Sequence, residues 1–395
     1  MGFMISSDEM IAKAFYAVFS RAPRGTLIIA PPRGAKMLFH GAQSGVTAEL
    51  VIHDWKAVRM VFLRGDIGFG EGYIDGLWST PDLPKLMTYM VENLDAIEDV
   101  SHGSWMMQRV FQLVNWVRDN SRAGSRKNIR AHYDVGNEFY ALWLDSSMTY
   151  SSAIFYGDYS KSLLAAQHTK YHRLLDRLGA PGHVLEIGCG WGGFAEAAAL
   201  LNFQVTGLTL SQAQLDYAKA RIKTAKLEDK VELRFEDYRD VTGSFDYIVS
   251  IEMFEAVGEK YWSNYFQTIK KRMKENGKAM IQTITIDDAH FDAYRRRSDF
   301  IRHYTFPGGL LPSMQRLREE IAAAELKCNE VYHFGLDYAE TCNKWLATLN
   351  EKSDMIKSLG YSEEFLRSWR FYLSCCIGAF AAGRTDVVQL EITHA

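Results

Sequence analysis

A glycine-rich segment in the middle of the chain has the residue types of a cofactor-binding loop. The segment 184–195 reads VLEIGCGWGGFA, and Gly188, Gly190 and Gly193 satisfy the spacing GxGxxG directly after an apolar run. Glycine is needed at such positions because the backbone has to turn tightly and approach a ligand closely. The spacing by itself is permissive, so the identity of the cofactor depends on the residues around it.

The position of the nearest acidic residue distinguishes between cofactors. A dinucleotide-binding loop is followed about 20 residues later by an acid that holds the ribose hydroxyls, whereas this chain reads TGLTLSQAQ over 206–214. Glu186 instead lies within the strand that precedes the loop, where a carboxylate suits a cationic cofactor without a pyrophosphate. The pattern predicts S-adenosylmethionine, with NAD, FAD or a loop without any ligand as the alternatives.

An alternation of helical and strand-like patterns surrounds this loop. From Leu163 onward the predicted strands are HVLEIG, FQVTGLTL, KVELRF, FDYIVSI and KAMIQTITI, with helices such as GFAEAAALL and AQLDYAKARI between several of them. Such alternation is typical of a mostly parallel sheet with helices on both faces, which binds ligands at the carboxyl edge of its strands. After Asp287, a helix near Pro312 and a helical block over 361–382 are predicted to build a lid or substrate wall over that edge.

The first part of the chain has a different pattern. It alternates the strand-like runs TLIIA from Thr26, AELVI from Ala48 and RMVFL from Arg59 with turn signals, and then shows the helical pattern LPKLMTYMVENL. An aromatic-rich helix is predicted within 101–128, ending in the polar segment RDNSRAGSRKN, which is the best domain boundary. We therefore predict a small α+β domain over residues 1–125 and a second domain over residues 126–395.

The composition restricts the class of protein. The chain has 395 residues, of which 47% are apolar and 24% are charged, as in a soluble globular protein. A net charge of −3 excludes a globally basic nucleic-acid binder, and no apolar run reaches the roughly 18 residues of a spanning helix. Five cysteines without a CxxC pair predict a reducing, cytoplasmic compartment and no metal site.

Several further motifs follow one another along the chain. They are HYDVGNEFYALWLD (132–145), MTYSSAIF (148–155), LEIGCGWGGFA, GLTLSQAQ, DYRD (237–240), FDYIVSIEMFEAVG (245–258), FPGGLLPS and HFGLDY. In these motifs, over most of residues 128–390, the chain resembles the cyclopropane-fatty-acyl-phospholipid synthase family, which includes mycolic-acid cyclopropane synthases and related fatty-acid C-methyltransferases. The resemblance implies a Rossmann-like class I methyltransferase domain with helical lid insertions, preceded by a smaller N-terminal α+β accessory domain.

The resemblance also implies a function. The expected reaction is methyl transfer from S-adenosylmethionine to the cis double bond of unsaturated acyl chains in membrane phospholipids, with a cyclopropane ring as the first expected product. The expected partner is the phospholipid bilayer, at the cytoplasmic face of the membrane, and the accessory domain would engage lipid or form a homodimer. The cofactor contacts implied by the motifs are Tyr150, Ser151, Glu186, Gly188, Cys189, Gly190, Gly192, Thr209, Leu210, Ser211, Gln214, Asp237 and Tyr238.

The chemistry of an alkene decides which further residues are needed. An isolated double bond is a poor nucleophile, so donor and alkene have to be aligned in a pocket that excludes water. Methylation leaves a carbocation, and the proton that a nearby base removes from it determines the product. A misplaced base would give a methyl-branched, methylene or methyl-olefin chain. A small-molecule methyltransferase and a non-catalytic lipid-binding protein with a degenerate core are the alternatives of other classes.

In the family that base is a bound bicarbonate ion. By resemblance its ligands here would be the backbone of Ser152 and the residues Glu255, Gln282, Ile284 and Tyr338. The chain departs from the family pattern at three positions, because Ser152 replaces a Cys, Ala256 a His and Gln282 a His. Gln282 can donate a hydrogen bond to an anion but cannot carry a proton. Cys376 matches a late cysteine of the family and is assigned a catalytic or a packing role.

Overall fold

A computed structural model of the protein describes residues 7–97 and 135–395, and these residues form two compact units. The predicted boundary between residues 125 and 126 and the predicted helix within 101–128 lie outside the described residues. None of the described helices is long and apolar enough to cross a membrane.

The first unit is an α+β structure built around a four-stranded sheet with the order β2-β1-β3-β4. Strands β1 and β3 are parallel, and the other two pairs are antiparallel. Its strands are β1 (Arg24–Ala30), β2 (Met37–His40), β3 (Gln43–Ile52) and β4 (Trp78–Ser79). Its helices are α1 (Ser7–Phe19), α2 (Lys56–Ile74), α3 (Leu83–Glu92), α10 (Phe300–Tyr304), α13 (Ser353–Ser358) and α14 (Glu363–Ala381).

One predicted strand of the first unit is wrong. The run RMVFL from Arg59 lies within α2, although Val and Phe favour strands. Ala57, Val58 and Phe62 are buried, and this spacing places them on one face of a helix. The period of the buried residues therefore outweighed the strand propensity of the run. The strands predicted from Thr26 and Ala48 and the helix over LPKLMTYMVENL are confirmed.

The C-terminal helix α14 belongs to the first unit, whereas the sequence placed it in the second domain. The unit takes in Asp299–Thr305 and Ser353–Ala382, and α14 packs against α3 and α2. The contact with α3 is closest at Gly378, where a Cβ atom would lie 2.7 Å from the carbonyl carbon of Met87. The absence of a side chain at Gly378 lets the two helices approach each other. Nothing local in the sequence indicates that α14 packs against α3.

We expect Gly378→Ala to destabilise the first unit. The added methyl group would meet backbone atoms of Met87 and Thr88, at 2.7 and 2.9 Å, which cannot move as a flexible side chain would. Overpacking of this kind costs about 1–3 kcal/mol and should outweigh the gain in helix propensity. Urea unfolding should show a lower midpoint for this variant than for the wild type. Ala381→Leu, at an exposed position of the same helix, should leave the midpoint unchanged. An unchanged midpoint for Gly378→Ala would contradict the packing.

The second unit contains a seven-stranded sheet with helices on both faces, as predicted. The strand order is β10-β11-β9-β8-β5-β6-β7, and the strands from β5 to β9 are parallel. Its strands are β5 (His183–Ile187), β6 (Gln204–Thr209), β7 (Val231–Phe235), β8 (Phe245–Ile251), β9 (Met273–Ile286), β10 (Leu326–His333) and β11 (Thr385–His394). Its helices are α4 (Asn137–Trp143), α5 (Leu163–Leu178), α6 (Gly193–Leu200), α7 (Gln212–Thr224), α8 (Trp262–Arg272), α9 (Asp288–Arg296), α11 (Met314–Ala323) and α12 (Gly335–Glu351).

The parallel strands are apolar because both of their faces are covered. In β5, Val184 packs into a core formed with α5, α6 and α7, while Leu185 and Ile187 pack into a core formed with α8 and α11. All five predicted strands are confirmed. The antiparallel strands β10 and β11 were not predicted, because Gln389 and Glu391 interrupt the apolar pattern of β11.

Candidate active site

The glycine-rich loop follows β5 at the carboxyl edge of the sheet. Gly188, Gly190 and Gly192 have φ angles of 86°, 51° and 81°, which side chains rarely adopt. A Cβ atom at Gly188 would lie 2.8 Å from Cγ of Met253, and one at Gly192 would lie 3.0 Å from Cβ of Ala218. Glycine is therefore required for both conformation and space at Gly188 and Gly192, and for conformation at Gly190.

The loops after β5 and β6 are joined by backbone hydrogen bonds. The N–H groups of Gly188 and Cys189 both donate to the carbonyl oxygen of Leu208, at 3.0 and 2.8 Å. Thr209 then ends β6, and its hydroxyl donates to Oε1 of Gln214 at 3.1 Å. The glycine loop and the predicted cofactor contacts after β6 are thus brought to one place.

The rest of the predicted cofactor segment forms the start of α7 and the end of β7. Ser211 caps α7, because its side chain accepts from the backbone N–H of Gln214 at 3.3 Å, and the neighbouring Leu210 is exposed. Asp237 accepts three hydrogen bonds from Arg239, two from the guanidinium group and one from the backbone N–H, and these bonds hold its pKa below the ordinary value. Tyr238 packs edge-on against Tyr265. The cofactor role of these residues stays a prediction.

Tyr150 and Ser151 lie in the segment after α4. The ring of Tyr150 packs against those of Trp143 and Trp345, at 5.7 and 5.3 Å between centroids. The hydroxyl of Ser151 accepts from Nζ of Lys170 at 2.6 Å, and its carbonyl oxygen accepts from the side chain of Gln167 at 2.9 Å. This segment is therefore fixed to helix α5, which carries both donors.

A basic and an acidic side chain are buried beside the loop. Lys170 is completely buried, and burial lowers its pKa to about 7 while Glu252, Asp145 and Glu186 act in the opposite direction. Burial raises the pKa of Glu186 to about 8, against the effect of Lys170. Lys170 was missed in the sequence, although it lies four residues from Ala166 and from Leu174 on the apolar side of α5, where a lysine is unusual.

Glu186 fits a cationic ligand. Its Oε2 atom is buried and accepts no hydrogen bond from any residue within 7–97 and 135–395. A buried acceptor without a donor is costly, so such atoms call for a ligand or an ion. The amino group of S-adenosylmethionine is a donor of the right charge, and the glycine loop beside it allows close approach. The residues present therefore fit this cofactor.

Three of the residues predicted to hold bicarbonate contact a glutamate instead. The backbone N–H of Ser152 donates to Oε1 of Glu252 at 2.8 Å, and Nε2 of Gln282 donates to the same oxygen at 2.7 Å. The hydroxyl of Tyr338 donates to Oε2 at 2.5 Å. The anion that these three donors bind in this structure is thus the carboxylate of Glu252, which the sequence analysis did not single out.

The other two predicted ligands, Ile284 and Glu255, contact each other. The backbone N–H of Ile284 donates to Oε1 of Glu255 at 2.5 Å, and the hydroxyl of Thr283 donates to the same atom at 3.0 Å. Burial, and then the charge of Glu252, raise the pKa of Glu255 to about 8. Glu255 is therefore mainly protonated at neutral pH, and the five predicted ligands are divided between two carboxyl groups.

The orientation of Gln282 depends on a residue more than one hundred positions away. Gln282 in β9 pairs with Gln389 in β11, and Nε2 of Gln389 donates to Oε1 of Gln282 at 2.9 Å. This bond occupies the amide oxygen and directs the amide nitrogen toward Glu252. Gln282 is thus a defined hydrogen-bond donor at this position.

Glu252 has an unusual backbone conformation. Its φ angle is 50°, and its N–H donates to the carbonyl oxygen of Gln282 at 2.8 Å. A residue with a side chain pays about 1–2 kcal/mol for this left-handed conformation. Strain of this kind is found where function requires it. The signal in the sequence was an acid directly after the apolar strand FDYIVSI.

Cys376, the last of the predicted site residues, does not belong to the same compact unit as the others. It belongs to α14 and hence to the first unit, whereas the loop and both glutamates belong to the second. The structure gives its thiol no bond to any of the predicted site residues. Its catalytic role stays an untested prediction.

We expect the stability of the protein to fall as the pH rises from 5 to 7, in part because of Glu255. In this range the folded state keeps a proton on Glu255 that the unfolded state, with an ordinary pKa of 4.5, releases. Each such proton lowers the free energy of unfolding by about 1.4 kcal/mol per pH unit. Urea unfolding of Glu255→Gln should show a slope smaller by about this amount. Equal slopes for variant and wild type would contradict the protonated state of Glu255.

Comparison with known proteins identifies the family of the chain. A family model described as "Mycolic acid cyclopropane synthetase" matches residues 120–390. The chain is 36% identical over 360 residues to a tuberculostearic acid methyltransferase of Mycobacterium tuberculosis, covering 88% of this chain and 84% of that protein. It is 32% identical over 355 residues to a cyclopropane-fatty-acyl-phospholipid synthase of Escherichia coli, covering 85% of each.

A solved structure supports both the fold and the cofactor. The mycolic acid cyclopropane synthase CmaA1, complexed with SAH and CTAB, matches with a TM-score of 0.61 and 29% identity, covering 67% of this chain and 96% of that one. The predicted Rossmann-like class I methyltransferase fold is thereby confirmed. The chain belongs to the mycolic acid cyclopropane synthetase family and is an S-adenosylmethionine-dependent C-methyltransferase.

Proposed function

We propose that this enzyme methylates the cis double bond of an unsaturated acyl chain in a membrane phospholipid. The observation that carries the proposal is a carboxylate, Glu252, that accepts hydrogen bonds from three segments at the end of β8, the neighbour of the strand that leads into the cofactor loop. An alkene has no acidic proton before methylation, so a base is needed only for the cation that follows. The names of two relatives, a tuberculostearic acid methyltransferase and a cyclopropane-fatty-acyl-phospholipid synthase, support a lipid substrate.

The surroundings of the site suit a cationic intermediate. S-adenosylmethionine, when bound, supplies an electrophilic methyl group. Tyr150 and Trp345 present aromatic rings near Tyr338, whose ring lies 6.1 Å from that of Trp345. Aromatic faces attract positive charge, and the buried rings keep water from the cation. These side chains would thus protect the methylated acyl chain until a proton is removed.

Two products remain candidates. A cyclopropane ring forms when the proton leaves the transferred methyl group, and the Escherichia coli relative supports this product by its name. A methylene or methyl-olefin chain forms when the cation first undergoes a hydride shift or loses another proton, and a saturated methyl-branched chain would require a later reduction of that double bond by a hydride donor. A base fixed to the end of β8 removes whichever proton faces it, so the orientation of the acyl chain against Glu252 decides whether the ring or this second candidate forms. The tuberculostearic acid methyltransferase supports the same candidate by its name.

The proposal extends to the place of action. An acyl chain in a bilayer has to leave its neighbours to reach a buried carboxylate, so the enzyme would work at the phospholipid surface, on the cytoplasmic face. The first unit would engage lipid or join two copies of the chain. Cosedimentation of the enzyme with phospholipid vesicles would support this part of the proposal, and an enzyme that stays in the supernatant while it modifies the vesicles would contradict it.

Deuterium labelling tests the reaction and distinguishes the products. The enzyme is incubated with vesicles of a cis-monounsaturated phospholipid and with S-adenosylmethionine carrying a CD3 group, and the fatty acids are analysed by gas chromatography and mass spectrometry. A ring retains two deuterium atoms and resists mild hydrogenation, a methylene group retains two and is hydrogenated, and a methyl-olefin retains three. An enzyme that binds the cofactor but labels no lipid would overturn the lipid proposal. Absence of cofactor binding would favour a non-catalytic protein.

A further inference from the structure

We propose that the carboxylate of Glu252 is the general base of the reaction, in place of a bound bicarbonate ion. The inference rests on the proposed function, because it assigns the proton acceptor for the methylated acyl chain. The resemblance to the family predicted a free anion held by Ser152, Gln282 and Tyr338. The same three donors hold a side chain of the protein here.

The hydrogen bonds leave room for one proton. A carboxylate has about four acceptor positions, two on each oxygen. Oε1 of Glu252 accepts from Ser152 and Gln282, and Oε2 accepts from Tyr338, all within 2.8 Å. Among the described residues these are its hydrogen-bond donors, so one position on Oε2 is available. The three donors also fix the direction in which this position points.

The surrounding charges keep the site suited to accepting a proton. The groups that face Glu252 are Lys170, Glu255 and Tyr338, together with the neutral donors Ser152 and Gln282. Burial raises the pKa of Glu252, while Lys170 and the hydrogen-bond donors act against it. Glu255, whose pKa is raised to about 8, keeps its own proton at neutral pH and therefore adds no second negative charge beside Glu252. A base whose pKa is raised toward neutral pH is an efficient proton acceptor.

The backbone conformation of Glu252 independently supports its role as the base. Glu252 adopts a φ angle of 50°, a region that favours glycine. Other residues with side chains and positive φ include Asn202, Lys226 and Glu325, which are exposed or half-exposed turn residues. Glu252 differs from them because its carboxyl group is buried and bonded to three segments distant in the sequence. The strained conformation places the carboxylate among these donors.

The proton and electron balance of the step is complete. The π electrons of the alkene form the bond to the methyl carbon of S-adenosylmethionine while the carbon–sulfur bond breaks and its electron pair stays on sulfur, so the positive charge passes from the sulfonium to the acyl chain. Glu252 then accepts a proton, and the electron pair of the broken C–H bond becomes the new ring bond or the new double bond. Glu252 becomes neutral and later returns its proton to solvent. No oxidant, reductant or added anion is needed.

The test measures lipid methylation with and without bicarbonate. The wild-type enzyme in CO2-free buffer should change less than twofold when bicarbonate is added. Glu252→Gln, which cannot accept the proton, should lose at least about 100-fold. Glu252→Gly removes the carboxylate and suits the φ angle, so it should fold, be inactive in CO2-free buffer and regain at least tenfold with bicarbonate or formate. Glu325→Gly, at another glutamate with positive φ, should keep its activity.

Three results would overturn the inference. They are loss of wild-type activity in CO2-free buffer, near-normal activity of Glu252→Gln, and a Glu252→Gly enzyme that binds S-adenosylmethionine in calorimetry but responds to neither anion. A wild-type enzyme that labels no lipid under any condition would instead overturn the proposed function. The two failures are therefore distinguishable, and rescue by an added anion cannot come from a misfolded variant.

Discussion

Replacing Glu186 with Gln is expected to weaken the binding of S-adenosylmethionine by about 100-fold, which corresponds to about 2.7 kcal/mol. The carboxylate is buried beside the glycine loop, and its Oε2 atom accepts no hydrogen bond from any described residue. A cationic ligand would supply both the missing donor and the opposite charge. The neutral amide would keep the shape of the side chain and lose the charge interaction.

The same variant should also change the proton balance of binding. Burial raises the pKa of Glu186 to about 8, so the group is mainly protonated at pH 7 in the free enzyme. A bound cation favours the ionised form, and binding should therefore release close to one proton from Glu186. Calorimetry in two buffers with different ionisation enthalpies measures this proton.

A matched substitution controls the measurement. Glu232 lies in β7 with an exposed side chain, and Glu232→Gln should bind the cofactor with unchanged affinity and the same proton release as the wild type. Glu186→Gln should release about one proton fewer. If both variants bind and release protons like the wild type, Glu186 is not a cofactor contact.

The second large effect is expected for Tyr338→Phe, which should lower kcat by roughly 10- to 100-fold. The hydroxyl donates to Oε2 of Glu252 at 2.5 Å, and a hydrogen bond to a charged group is worth about 1.5–3 kcal/mol. The remaining ring can still pack against Trp345. Tyr338 therefore acts as a positioning residue, and its loss should affect turnover far more than cofactor affinity.

The pH profile separates this role from a merely structural one. The hydrogen bond from Tyr338 favours the ionised form of Glu252. Its removal should raise the pKa of Glu252 further, so a higher pH is needed to ionise it, and the acid limb of the kcat profile should move to higher pH. Tyr332→Phe, in β10, is the control and should leave the profile unchanged. An unshifted acid limb in Tyr338→Phe would show that the hydroxyl does not act through Glu252.

Much of the cofactor-binding part of the site could be predicted because the sequence patterns that indicate it are local. The spacing of Gly188, Gly190 and Gly193, the acid two residues before Gly188 and the apolar runs of the parallel strands all lie within short segments. A strand followed by a glycine turn and a helix uses contacts that are near in sequence. The carboxyl ends of parallel strands then meet at one edge for any member of this fold.

The part of the site around the proposed base could be predicted only in part. Ser152, Gln282 and Tyr338, which were predicted to bind bicarbonate, lie together in the structure, but the group to which they donate, Glu252, was not identified, because three distant segments meet at it. Lys170 was missed for a similar reason, since its partners lie on other elements.

The sequence by itself determined the alternating α/β order, the glycine loop and the carboxylate that precedes it, because each depends on residues close together in the chain. The tertiary structure decided which groups share the buried site. It placed Gln389 behind Gln282, Lys170 beside Ser151 and helix α14 in the first unit. The physical reason is that a buried charge has to find its donors wherever the fold brings them, and separation along the chain does not limit that choice.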